Sequence, residues 1–101
     1  MIRRGTTPTH TFTLPLEPRF IKKMEIVYAQ NGVEVFHKDM EDCTFEGDIA
    51  VVRLTQEETL SLKEDRDVHL QLRVLADDDS ALVSNIVTTT VRRALKDEVM
   101  L

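Results

Sequence analysis

The side chains that could do chemistry here are few: His10, His37 and His69, the single Cys43, the run Asp77, Asp78 and Asp79, and the pair Glu57 and Glu58. Two imidazoles with a thiolate or a carboxylate would satisfy tetrahedral zinc. No H-x-x-x-H or C-x-x-C spacing gathers such ligands, however. Each histidine stands alone in a run that reads as a strand, so a solvent-facing side chain is the plainer expectation. One cysteine allows neither an intrachain disulfide nor a multi-cysteine zinc site, and Cys43 reads as a small buried hydrophobe. Asp77, Asp78 and Asp79 could offer oxygens to calcium, but Ala81 and Leu82 interrupt an EF-hand pattern. The run reads as a charged hairpin loop, with calcium left open. There is no G-x-S-x-G elbow, Gly-rich phosphate loop or H-E-x-x-H helix. No catalytic residue, metal ligand or cofactor is assigned, and no small-molecule substrate is expected.

Those side chains sit on a framework of period two. Phe12, Leu14 and Leu16 alternate with Thr11, Thr13 and Pro15, which describes a half-buried strand from Thr9. Pro15 and Pro18 deny donors to a neighbour and place this strand at an edge. From Ile21 to Gln30, Met24, Ile26 and Tyr28 share one face. Asn31-Gly32 then predicts a type I′ hairpin, because both central residues need positive φ, with the return strand over Val33 to Met40. A short run at Cys43-Thr44-Phe45 precedes a turn at Glu46-Gly47-Asp48. Ile49 to Leu54 follows, apolar on both faces and therefore read as a central strand covered in part on each side.

Thr55-Gln56-Glu57-Glu58 is a capping box that opens one or two helical turns, with Leu60 and Leu62 turned inward. Val68, Leu70, Leu72 and Val74 make the cleanest alternation in the chain. Ala81 to Val91 reads as one continuous last strand. The result is an all-β expectation: an immunoglobulin-like antiparallel β-sandwich of about seven strands, with a short helical crossover near residues 56–60. Residues 9–92 would form the sandwich, 1–8 a flexible N-terminal arm, and 93–101 a C-terminal tail or short helical turn. The absence of Trp and the single Cys exclude a Cys…Trp…Cys core.

Length and charge bound the function. A chain of 101 residues makes one domain, and 42% hydrophobic residues suffice for its core. Thirteen basic against eighteen acidic side chains leave a net charge of −5, which argues against a nucleic-acid partner held by phosphate contacts. No apolar run approaches the roughly 20 residues of a membrane-spanning helix. Arg3-Arg4 is followed by Gly5-Thr6-Thr7-Pro8 where a signal peptide would be apolar. Synthesis in the cytoplasm without a visible export signal is the expectation.

Two features suit assembly. Thr88, Thr89 and Thr90 could form an exposed edge that accepts a strand, and Val99, Met100 and Leu101 place apolar side chains on a terminal segment that could act as a docking arm.

Several stretches carry a family resemblance: Ile2-Arg3-Arg4-Gly5-Thr6-Thr7-Pro8-Thr9-His10-Thr11-Phe12, Tyr28-Ala29-Gln30-Asn31-Gly32, Glu41-Asp42-Cys43-Thr44, Leu54-Thr55-Gln56-Glu57-Glu58-Thr59-Leu60 and Leu70-Gln71-Leu72-Arg73-Val74-Leu75. With a final strand similar to S-D-I-I-T-V-x-V, here Ser84 to Val91, they resemble short proteins of phages and prophages of gut Firmicutes. Asn85 and the threonine run depart from that pattern. The resemblance implies a non-enzymatic virion, tail or baseplate component made in the bacterial cytoplasm. Its partners would be other phage structural proteins and copies of itself. The competing readings are an immunoglobulin-like module for a host protein or carbohydrate, and a cytosolic phage-encoded regulator of a host protein.

Overall fold

The first long-range pairing follows from two residues. Asn31 and Gly32 adopt φ of 53° and 75°, the positive values of a type I′ turn, and fold Ile21–Gln30 (β3) against Val33–Asp39 (β4). In a computed structural model that describes all 101 residues, this hairpin belongs to the larger of two sheets. The other members of that sheet are Ile2–Arg3 (β1), Asp67–Ala76 (β7), Ala81–Val83 (β8) and Val87–Arg92 (β9). Their order is β1-β9-β7-β3-β4, with β8 beside β7. Thr9–Thr13 (β2), Cys43–Glu46 (β5) and Ile49–Arg53 (β6) form the smaller sheet, in the order β2-β6-β5. The two alternate along the chain as in an immunoglobulin-like sandwich. Only β1 on β9 is a parallel pair.

The alternating residues of β3 and β7 supply most of the core. Met24, Ile26 and Tyr28 meet Leu70, Leu72 and Val74, and Ala50, Val52 and Leu54 come from the opposite sheet. Tyr28 crosses the interior between Phe36, stacked at 4.6 Å, and His10, stacked at 5.8 Å. Its hydroxyl lies 2.6 Å from His10 Nδ1. Burial, helped by the positive amino terminus, lowers His10 below its ordinary value of 6.5. Burial, with Glu58 and Cys43 nearby, pushes the Tyr28 hydroxyl well up. These directions assign a neutral imidazole that accepts the Tyr28 proton at Nδ1. His10 is thus a core-facing bridge between sheets rather than a solvent-facing side chain.

The crossover Gln56–Leu60 (α1) forms with both halves of its capping box, Thr55 Oγ1 accepting from Glu58 N and Glu58 Oε1 from Thr55 N. The same Glu58 Oε1 accepts from Lys38 Nζ at 2.7 Å, with the Lys38 side chain only 8% exposed. One carboxylate therefore ties the edge of the large sheet to the crossover. Gln30 makes a second tie, pairing its side-chain amide with both N and O of Lys63.

Several expectations are corrected. Residues 1–8 are no flexible arm. Ile2 is fully buried in the core, Pro8 O accepts from Leu54 N, and Thr6 O accepts from Thr59 Oγ1. A single apolar residue gave the alternation nothing to repeat, and burial of Ile2 comes from parallel pairing with Val91. The outer face of β6 is not covered, with Ile49 and Arg53 exposed and Val51 half-buried. The last strand is broken into β8 and β9, while the short run at Cys43 does form a strand, β5. Residues 93–101 form no helical turn.

Two stability measurements follow. Glu58→Gln strands the Lys38 ammonium and should cost about 2–3 kcal/mol in urea unfolding, against about 1 kcal/mol for Thr55→Ala, which loses only the cap; equal losses would remove the ion pair from the account. His10, depressed in the folded state, contributes stability in full above pH 6.5, and that contribution fades as pH falls through its folded value. His37 is raised by its bond to Glu34 and runs the other way on an exposed strand. The contrast between wild type and His10→Gln therefore isolates His10: the wild-type advantage should shrink from pH 7.5 to pH 5.

Candidate interaction site

The break in the last strand is a β-bulge. Arg73 pairs with Val83 on β8 and Leu70 with Val87 on β9, so Gln71 and Leu72 face the three residues Ser84, Asn85 and Ile86. Ser84 fills the gap. Its N donates to Leu72 O, its Oγ accepts from Leu72 N, and its O accepts from the Gln71 amide. The extra residue switches the parity of the strand. Leu82 faces the core opposite Val74, and beyond the bulge Val87 faces it opposite Leu70.

Neither is covered. Leu82 remains 38% exposed and Val87 56%, and beside them Val83 and Ile86 are each 59% exposed. The smaller sheet ends at β2, one strand short of shielding β8 and β9. Between them lies a cleft of about 300 Å³ with Leu14 and Pro15 on one wall and Leu72, Val74, Leu82 and Val83 on the other. That volume is at the small end of ligand pockets, which run to about 1,000 Å³, and suits a few apolar side chains.

Both lips of this seam carry unpaired backbone. Leu54 N donates to Pro8 O, and Leu14 N to Asp48 O, at the two ends of β2. By the antiparallel alternation, the even residues of β2 bond to β6 and Thr9, Thr11 and Thr13 turn their N–H and C=O outward. On the opposite lip Ala76 N donates to Ser80 O and Ser84 N to Leu72 O, which turns Ala81 and Val83 outward. Val91 N donates to Arg66 O, which leaves Thr88 outward beyond the end of β1.

The far edges are guarded. On β4, His37 lies 3.2 Å from Glu34 and 3.4 Å from Asp39, and the ladder is interrupted at Tyr28/Ala29. β5 has only four residues and ends in Glu46. Charges, irregularity and shortness are how sheet edges avoid unwanted pairing; the seam is short and bulged along β8, but no Asp, Glu, Lys or Arg stands on either lip, from Thr9 to Leu16 or from Ala81 to Thr90.

The residues singled out from sequence do not form one site. Thr88 faces outward and its Oγ1 lies 2.9 Å from His69 Nδ1, Thr89 is half-buried toward the seam, and Thr90 is exposed. Val99, Met100 and Leu101 lie near α1, where Gln56 Nε2 donates to Met100 O and Gln56 Oε1 accepts from Met100 N. Asp78 Oδ1 accepts from Ser80 N and Asp79 Oδ1 from Lys22 Nζ, so the loop carboxylates are turned apart. No group of three His, Cys, Asp or Glu side chains converges as a metal site. Cys43 is half-buried and its Sγ lies 3.4 Å from Asp39 O; burial raises its thiol, which keeps it protonated and unreactive at neutral pH. The seam residues Leu82, Val83, Ile86 and Val87 were missed. Their signal was present as adjacent apolar pairs, one residue for each face of the strand.

No protein-family model matches the chain, and no curated protein matches it. Among solved structures it is similar to the V domain of amphioxus IgVJ-C2, at 10% identity, over 89% of this chain and 96% of that one, with a TM-score of 0.36. No helix is long and apolar enough to cross a membrane.

The register makes a residue-by-residue forecast for hydrogen exchange in dilute solution. The amides of Thr11, Thr13, Val83 and Thr88 should exchange rapidly, and those of Phe12, Leu70 and Val74 slowly. Protection of Thr11 and Thr13 equal to that of Phe12 would mean that β2 is not a free edge.

Proposed function

We propose that this protein is a non-enzymatic interaction module that accepts an extended segment in the seam between β2 and β8–β9, and that it serves in the tail, baseplate or head–tail region of a phage particle. The observation that carries the first part is the seam itself, where core-facing Leu82 and Val87 stay exposed between two lips of unpaired backbone. An added strand bonds such edges through its main chain and fills the apolar cleft with alternate side chains. Covering each half-exposed side chain is worth about 1–2 kcal/mol.

The phage assignment is supported by the family resemblance of the motifs, and its cellular course would be synthesis in a bacterial cytoplasm followed by incorporation into the virion. Small sandwiches repeated by symmetry suit such particles, because each weak contact is multiplied. Sugar recognition, which favours exposed aromatic faces for stacking, is less well supported: Tyr28 is buried, Trp is absent, and of the phenylalanines only Phe20 is exposed, with Arg19 over its ring at 4.6 Å.

Quantitative mass spectrometry of particles purified after prophage induction tests the reading. The chain is expected at a fixed multiple of the tail or head–tail proteins, and a folded Val87→Lys variant is expected to fall at least tenfold in the particle fraction. Recovery of the wild-type chain only from the particle-free lysate would overturn the virion role and favour a cytosolic regulator.

A further inference from the structure

We infer that the segment taken up by the seam is the C-terminal tail of a second copy, so that copies join head to tail. This rests on the seam reading above and names its occupant. The seam lacks one strand, and the strand that completes it needs apolar side chains on one face and a free backbone edge. In the tail, Leu95, Asp97, Val99 and Leu101 share one parity and so one face of an extended segment, three of the four being apolar. Leu95 is 99% exposed and Met100 82%, and Leu101 is wholly exposed. The tail's hydrogen bonds and ion pair on its own copy are Arg4 Nη1 to Asp97 Oδ1 at 2.9 Å and the Gln56 amide on the N and O of Met100, with Ala94 and Val99 half-buried beside them. Partly exposed contacts of this kind are individually weak and exchange readily for apolar burial.

The position of the tail decides between its own seam and a neighbour's. It leaves β9 at Arg92, beside β1 and the start of β7, whereas the cleft opens near Leu72 and Val74 toward the other end of β7. From Arg92 back to Leu82 is about 30 Å of strand at about 3.3 Å per residue. The nine residues after Arg92 span at most about 30 Å fully extended, and a reversal consumes several of them. Val99 and Leu101 therefore fall short of the cleft in their own copy. The cleft of a neighbouring copy carries no such limit of reach. Such a contact joins different surfaces on the two copies and closes into a ring or extends as a filament.

The test uses full-length chains and light-scattering mass over a concentration series. Wild type is expected to rise past twice the 11.6 kDa monomer. A tail variant (Val99→Glu with Leu101→Glu) and a seam variant (Leu82→Glu, or Val87→Glu should circular dichroism show the first unfolded) are each expected to stay monomeric. Mixed in equal amounts they should double in mass and stop there, because one intact tail meets one intact seam. A mixture that stays monomeric overturns the head-to-tail arrangement. A tail variant that assembles like wild type, while the seam variant does not, overturns the occupant and leaves the seam reading standing. A wild type that is monomeric at every concentration also overturns the occupant, and the seam reading is then decided by the recovery of Val87→Lys in the particle fraction.

Discussion

A sheet three strands wide packs on one that is four strands wide over most of its length, and the behaviour of the molecule depends on that difference of one strand. Strands lie about 4.8 Å apart, so an inner face of this width leaves its outermost strand uncovered unless something else covers it. On the β4–β5 side the chain crosses directly between sheets through the turn at Met40–Asp42, and no strand is left over. The deficit appears wholly on the other side. There the bulge at Ser84–Ile86 turns Leu82 and Val87 toward a core that the small sheet does not reach.

The layers are held together by groups that could not be left alone. Lys38 is too far from water to stand unpaired, and the partly buried Glu58 carboxylate that it meets is shared with Thr55 N. Tyr28 is completely enclosed, and its hydroxyl would be an unsatisfied donor without His10. The first tie joins the large sheet to the crossover and the second joins the two sheets, and both resist separation of the layers. They let the seam between β2 and β8–β9 stay open without loss of the fold, since the buried cluster from Ile2 to Val91 is complete without the tail.

The sandwich was largely legible in the sequence because its strands obey a period of two and its turns use residues with few conformational alternatives. Asn31-Gly32 and the Thr55–Glu58 box are local signals, and both formed as read. Burial of Ile2 was not legible, because a two-residue parallel strand is fixed by a partner about ninety positions away. The break in the last strand was hidden by the β-branched run from Ile86 to Val91. Ser84-Asn85, turn-forming residues just ahead of that run, mark it in retrospect. Of the candidate site, Thr88 was found as an edge residue. The apolar lip was not, since its exposure depends on where the opposite sheet ends.

Recognition by strand uptake at an incomplete sandwich edge is the central claim. Isotope-filtered methyl spectroscopy on a mixture of labelled and unlabelled full-length chains tests it most directly. The account predicts contacts between copies from the Leu82 and Val87 methyls to those of Val99 and Leu101. Assembly in which those seam methyls show no contact with another copy would contradict it.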